Sequence, residues 1–221
     1  MVQLYYIIGD IHGYLERLVA LFKKLSAKVT ESDTLIFLGD YIDRGPQSYE
    51  VIDFLINISR TPGFNALFLK GNHEDMMLKY LGGEDRNGSF LFNGGDATMR
   101  SYVRQHGTFE LPAHHVDFFN GLRLYYEGYD FIAVHAGLNP AAGSLDRQDP
   151  DDLIWIREKF FRSERRWEKT VIFGHTPVAY LGIRGPAFID DKKNIIGIDS
   201  GVIFGNPLTC LVWPARRIIK G

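Results

Sequence analysis

Asp10, His12, Asp40, Asn72, His135 and His175 share one setting in this chain. Each follows a short apolar run and lies within two residues of a glycine. Tyr5–Ile8 runs into Gly9-Asp10-Ile11-His12-Gly13, and Leu35–Leu38 into Gly39-Asp40-Tyr41-Ile42-Asp43-Arg44-Gly45. Leu67–Leu69 leads through Lys70 to Gly71-Asn72-His73-Glu74. Phe131–Val134 leads to His135-Ala136-Gly137, and Val171–Phe173 to Gly174-His175-Thr176. Asp, Asn and His are ligands of hard or borderline divalent metals. Read alone, an Asp after a strand is ordinarily a turn or cap residue. Read together, the six would crowd polar groups at one end of a buried sheet, where carboxylates need cationic compensation.

Two divalent ions would supply it. Asp10 and His12, two apart on one loop, can reach one ion. Asn72, His135 and His175 can reach a second, and Asp40 can bridge the two. Paired ions roughly 3.5–4 Å apart hold a hydroxide and lower its pKa, which makes a nucleophile for in-line attack. Mixed oxygen and nitrogen donors without thiolate favour Mn, Fe or Zn over Ca. Phosphoryl transfer also needs cations on the phosphate oxygens and an acid for the leaving group. Arg44 shares its loop with Asp40 and Asp43 and can fork onto phosphate. Asn72 is a further candidate contact to substrate. His73 is the natural general acid, with Asp43 to orient it and keep it protonated. Arg157, in Leu153-Ile154-Trp155-Ile156-Arg157-Glu158, is the candidate second phosphate arginine.

Each apolar run reads as a buried strand that delivers its ligand from its carboxyl end, the edge where open α/β sheets bind ligands. Spacing of Leu15, Leu18, Val19, Phe22 and Leu25 predicts an amphipathic helix over Tyr14–Ala27. Ser48–Ser59 and Glu74–Leu81 repeat the pattern. Strand, ligand loop, helix, strand implies βαβ units and a partly parallel sheet. Residues 82–129 carry none of the five motifs and are richer in Gly, Asn and His. They read as a small inserted helical cap, with helices near Ala97–Gln105 and Ala113–Leu122. His106, His114 and His115 fall there and read as surface or satisfied core groups. The tail predicts strands at Ile195–Ile198, Gly201–Phe204 and Leu208–Trp213, with a hairpin at residues 205–207. The expected fold is α/β (α+β): two packed sheets with helices on their outer faces, in one domain over residues 1–221 with the cap inserted.

Length and composition set limits. The chain has 221 residues, of which 45% are hydrophobic and 24% charged, enough for a sizeable core. Net charge is -2, from 25 basic and 27 acidic residues, which argues against bulk binding to nucleic acid or an anionic membrane. Cys210 is the single cysteine, so no intrachain disulfide forms. No apolar stretch reaches spanning length. The first motif begins at Gly9, which leaves no room ahead of it for a removable signal, and a cytoplasmic location is expected.

The five motifs, in this order, resemble the phosphoprotein phosphatase branch of the calcineurin-like metallophosphoesterases. That branch includes bacterial and phage Ser/Thr phosphatases and symmetrical diadenosine tetraphosphatases. Ile198-Asp199-Ser200-Gly201 is similar to the family's closing strands. The resemblance implies a β-sandwich core and a di-metal centre, usually manganese, with Asp10, His12 and Asp40 on one ion. Asp40, Asn72, His135 and His175 would hold the other. It implies His73 paired with Asp43 as the acid, Arg44 on phosphate, and Arg157 beside it. Lys70 departs from the phage-type pattern, which has an arginine there; lysine lacks the bidentate fork. The expected activity is removal of phosphate from phosphoserine and phosphothreonine proteins. The alternatives are symmetrical hydrolysis of diadenosine tetraphosphate to ADP, and a broad phosphomonoesterase or phosphodiesterase activity. A dinucleoside polyphosphate would need a base site, for which Phe90, Phe92, Tyr102, Phe109, Phe118 and Phe119 are the candidates, although such spacings more often mark core.

Overall fold

The computed structural model describes residues 3–221. Its strands and helices follow the apolar runs. In chain order they are β1 (Tyr5–Ile8), α1 (Leu15–Leu25), β2 (Thr34–Phe37), α2 (Ser48–Arg60), β3 (Asn65–Phe68), α3 (Asn72–Leu81), α4 (Ser89–Phe92), α5 (Gly95–His106) and α6 (Ala113–Asn120). Then come β4 (Tyr125–Glu127), β5 (Phe131–Val134), α7 (Pro150–Trp155), α8 (Glu158–Phe161), β6 (Thr170–Phe173), β7 (Phe188–Asp190), β8 (Ile195–Gly197), β9 (Thr209–Trp213) and β10 (Arg217–Lys220).

Two five-stranded sheets result, ordered β10-β9-β1-β2-β3 and β4-β5-β6-β8-β7. The ligand-bearing strands are parallel within each sheet: β1 with β2 and β2 with β3, then β5 with β6 and β6 with β8. Antiparallel strands close the edges. The sheets face each other across Ile7, Ile36, Leu38 and Leu69 on one side and Ala133, Ile172, Ile196 and Ile198 on the other. Burial on both faces explains why these strands are unbroken apolar runs rather than alternating ones. The outer face of the first sheet packs under Leu18 and Leu21 of α1 and Val51, Ile52 and Leu55 of α2. The outer face of the second packs against Leu153, Ile154 and Phe160 of α7 and α8. Asp149 caps α7 by accepting the Asp151 N–H at 2.9 Å, and Pro150 opens the helix.

Two expectations for the tail are corrected. Residues 202–204 form a 3-10 turn rather than a strand. Gly201 and Gly205, with φ of 73° and 85°, bracket it in left-handed backbone that ends extended structure on both sides. The hairpin at residues 205–207 is therefore absent, and β9 pairs with β1 and β10 instead. Strand β10 carries the tail residues Ile218 and Ile219 into the two cores. Tyr125–Glu127, near the end of the segment read as a cap, is an edge strand of the second sheet. Among the described residues no helix is long and apolar enough to cross a membrane.

Candidate active site

Loops from the ends of both sheets converge. His135, after β5, donates its Nδ1–H to the Leu38 carbonyl after β2 at 2.9 Å. The backbone N–H of His175, after β6, donates to both carboxylate oxygens of Asp10, after β1, at 3.2 and 3.0 Å. The chain bends sharply to do this. Among the described residues seven non-glycines have positive φ, and five are His12, Asp40, Asp43, Arg44 and His175. Left-handed backbone costs a non-glycine residue roughly 1–2 kcal/mol, so the surroundings must hold it. Gly71 helps by having no side chain: a Cβ there would strike the Asp40 carboxylate.

Asp40 is the centre. Its Oδ1 lies 3.4 Å from His135 Nε2, and its Oδ2 lies 3.6 Å from His12 Nε2 and 3.9 Å from His73 Nε2. Two compact groups share it, one with His12 and His73 and one with His135 and His175. All the metal candidates are buried, each at most 4% exposed. Asp40 gathers His12, His135 and His175, while Asp10 is tied in through the His175 N–H and Asn72 through His135 Nε2. Burial holds the His12 and His175 imidazoles well below their ordinary pKa and lowers that of His135, so these rings are neutral. Asp10 is raised well above the carboxylate range by burial and by the neighbouring Asp199 and Asp40.

The arrangement fits metal. His135 Nδ1–H is committed to a carbonyl, so its neutral Nε2 carries a lone pair. That lone pair faces Asn72 Oδ1 at 3.1 Å and Asp40 Oδ1 at 3.4 Å. Asp40 is an acceptor whichever way the Asn72 amide is turned. His175 Nε2 is buried with no hydrogen-bond partner among the described residues. Acceptors facing acceptors, and a buried orphan nitrogen, are what a cation would resolve. His12 shows the same logic: its Nδ1–H donates to the Ile42 carbonyl at 3.1 Å, and its Nε2 accepts from Arg44 at 3.1 Å.

His73 Nδ1 meets Asp43 Oδ2 at 2.6 Å. Burial works against the charged imidazole, but Asp40 and the Asp43 hydrogen bond outweigh it and raise the His73 pKa. Arg157 donates to the His175 carbonyl at 3.1 Å and to Thr176 Oγ1 at 3.0 Å, so it reaches the same loops. Arg44 stands exposed at the rim. Lys70 is engaged elsewhere, paired with Asp75.

Sequence reasoning missed three contributors. Glu74 accepts the backbone N–H groups of Asp40, Tyr41 and Gly71 at 2.8–2.9 Å and shapes the Asp40 loop. Its signal was present, since a Glu at the third helix position commonly reaches back to the N-terminus. Thr98 of α5 donates to Asp43 Oδ1 at 2.6 Å, which ties the helical segment to the His73 pair. Nothing in the sequence marks it. Asp199, after β8, is buried and pushed up to about 6 by burial, and the strand-then-Asp pattern of the other loops could have found it. The aromatic candidates for a base site are mostly core: Phe90, Tyr102 and Phe119 are buried and Phe109 and Phe118 pack against them, which leaves only Phe92 exposed.

Paired divalent ions beside arginines are a general means of hydrolysing phosphate esters, and by fold and site together this is a metallophosphoesterase. The chain belongs to the calcineurin-like phosphoesterases, whose family model matches residues 5–202. It is 26% identical to the asymmetrical bis(5'-nucleosyl)-tetraphosphatase PrpE of Anoxybacillus flavithermus, over 99% of this chain and 94% of that protein. Against the protein of the same name from Bacillus subtilis it is 26% identical, over 98% and 93%. A crystal structure of a putative diadenosine tetraphosphatase superposes with TM-score 0.74 and 25% identity, over 99% of this chain and 92% of that one. The cold-active protein-tyrosine phosphatase of a Shewanella species shares the fold, with TM-score 0.64 at 19% identity.

Proposed function

We propose that the protein hydrolyses dinucleoside polyphosphates, with asymmetrical cleavage of diadenosine tetraphosphate to ATP and AMP. The supporting observation is the near-full-length match to tetraphosphatases so named, on a chain in which Asp40 gathers His12, His73, His135 and His175. Asp10, His12 and Asp40 would hold one ion, and Asp40, Asn72, His135 and His175 the other, with manganese the expected metal. When bound, the ions would supply water of lowered pKa and positive charge opposite the phosphate.

The chain's own residues do the rest. Arg44, held on His12 Nε2 in this structure, would be released to the phosphate oxygens once that nitrogen has another partner. Arg157, anchored on the His175 loop, would take a second oxygen, and Asn72 would contact the same group. His73, charged against Asp43, would give its proton to the departing phosphate oxygen as the phosphorus–oxygen bond breaks. Dephosphorylation of phosphoserine and phosphothreonine proteins is the second reading, since the same residues would serve it. Manganese-loaded protein given both diadenosine tetraphosphate and a phosphothreonine peptide distinguishes them. ATP and AMP with the peptide intact are expected. ADP alone would indicate symmetrical cleavage, and phosphate release from the peptide alone would favour the protein substrate.

A further inference from the structure

Three of the eleven exposed large apolar side chains among the described residues gather in one place. Tyr180, Ile183 and Phe204 are 69%, 36% and 55% exposed. Tyr180 and Phe204 meet edge to face, with centroids 6.2 Å apart. Ile183 lines a cavity of about 390 Å³ with Val178, Arg184, Ser200, Asn206 and Lys220; the Tyr180 and Phe204 rings do not line it but stand close in sequence to residues that do. No metal candidate lines this cavity, but its wall continues the loops that carry two of the buried site residues. Val178 lies three residues beyond His175, and its N–H donates to the Asp199 carbonyl at 2.9 Å. Ser200 follows Asp199 directly. The two loops that carry His175 and Asp199 into the site therefore form the cavity's inner wall.

Charge narrows the occupant. Among the described residues neither Arg184 nor Lys220 has a carboxylate partner, and no acidic side chain lines the cavity. The groove at Trp155, whose ring meets His175 edge to face, is lined by Asp75, Glu84 and Asp85 together with Lys79 and Arg86. Lys79 is already paired with Asp75, so the charges of that groove are more balanced than those of the Ile183 cavity. Exposed aromatic rings with unpaired cations suit a nucleobase on a phosphate chain, because bases stack on ring faces and phosphates need positive charge.

We infer that the nucleoside binds at the Ile183 cavity, with the base stacked on the exposed pair of Tyr180 and Phe204 beside it and Arg184 and Lys220 of the cavity wall facing the polyphosphate. This rests on the dinucleotide reading. It also moves the base site away from the aromatics of residues 90–119.

Steady-state kinetics on manganese-loaded Phe204→Ala, Tyr180→Ala and Arg184→Ala test it, with diadenosine tetraphosphate and p-nitrophenyl phosphate as substrates. These side chains are on the surface, and thermal melts would check folding. Loss of a stacking ring should raise KM for the dinucleotide roughly tenfold, within the range for one stacked base. KM for p-nitrophenyl phosphate should stay unchanged, and Tyr180→Phe should behave as wild type. Unchanged dinucleotide KM in all three alanine variants, with wild type active on that substrate, would overturn the site and leave the substrate class standing. Wild type that ignores the dinucleotide but cleaves p-nitrophenyl phosphate would overturn both.

Discussion

Two clusters in this molecule look alike in composition and differ in what they lack. One joins Asp40 to His12, His73, His135 and His175. The other joins Asp53 of α2 to His114 and His115 of α6. In the second, every contact has a proton to account for it. The Nε2–H groups of His114 and His115 donate to Asp53 Oδ1 at 3.1 and 2.9 Å, and the Tyr102 hydroxyl donates to His115 Nδ1 at 2.8 Å. That cluster is complete as a helix-to-helix strut. In the first, the proton inventory runs short. His135 Nε2 faces two oxygens and His175 Nε2 faces none. Clustering of Asp and His is therefore a weak sign of metal, whereas clustering with unmet acceptors is a strong one.

The largest effect should come from Asp40→Asn. Removing the shared carboxylate should lower turnover by at least about 10³-fold, the scale for losing a group that organises transition-state charge. The matching Asp53→Asn change should leave turnover and metal content alone. Equal losses in both variants would erase the distinction between the clusters. His73→Asn comes next, because it removes the acid but keeps a polar side chain. Turnover of an alkyl phosphate should fall about 10²–10⁴-fold. Cleavage of the dinucleotide should fall less, because its leaving group needs less protonation. An alkyl phosphate hydrolysed at the wild-type rate would remove the acid role from His73.

Thr98→Val is a smaller perturbation. It leaves Asp43 Oδ1 and the Asp43 N–H without the threonine hydroxyl. A lost buried partner costs about 1–3 kcal/mol, seen in urea unfolding, with a moderate drop in turnover as His73 loses its fixed neighbour. No change in either quantity would mean that α5 does not support the pair. The smallest effect belongs to the strut. His115 is buried, and burial lowers its pKa despite Asp53. The unfolded chain, near 6.5, thus takes up a proton before the folded one does. The stabilisation from neutral His115 is present above that pH and is lost as pH falls through it. The thermal midpoint of wild type should drop more between pH 7 and 5 than that of His115→Gln, and parallel curves would refute the assignment.

Much of this was legible in the sequence, because burial on both faces writes a strand as a continuous apolar run that ends where the ligand loop begins. All five motif strands fall within a residue or two of where the runs place them. The candidate ligands were legible for the same reason. What was hidden depends on approach between distant segments. The left-handed backbone at His12, Asp40 and His175 has only a weak residue-type signature, since Asp and His are enriched there among non-glycines yet mostly adopt other conformations. Thr98 supports Asp43 from 55 positions away. Tyr180 and Phe204 lie 24 residues apart and meet across two segments, the second of them the 3-10 turn at residues 202–204 rather than the expected strand.

Anomalous diffraction from crystals grown with manganese tests the central claim most directly. Two peaks should flank Asp40, one near Asp10 and His12 and one near Asn72, His135 and His175, with no peak at Asp53. A manganese peak at Asp53 with the Asp40 cluster empty would contradict the account.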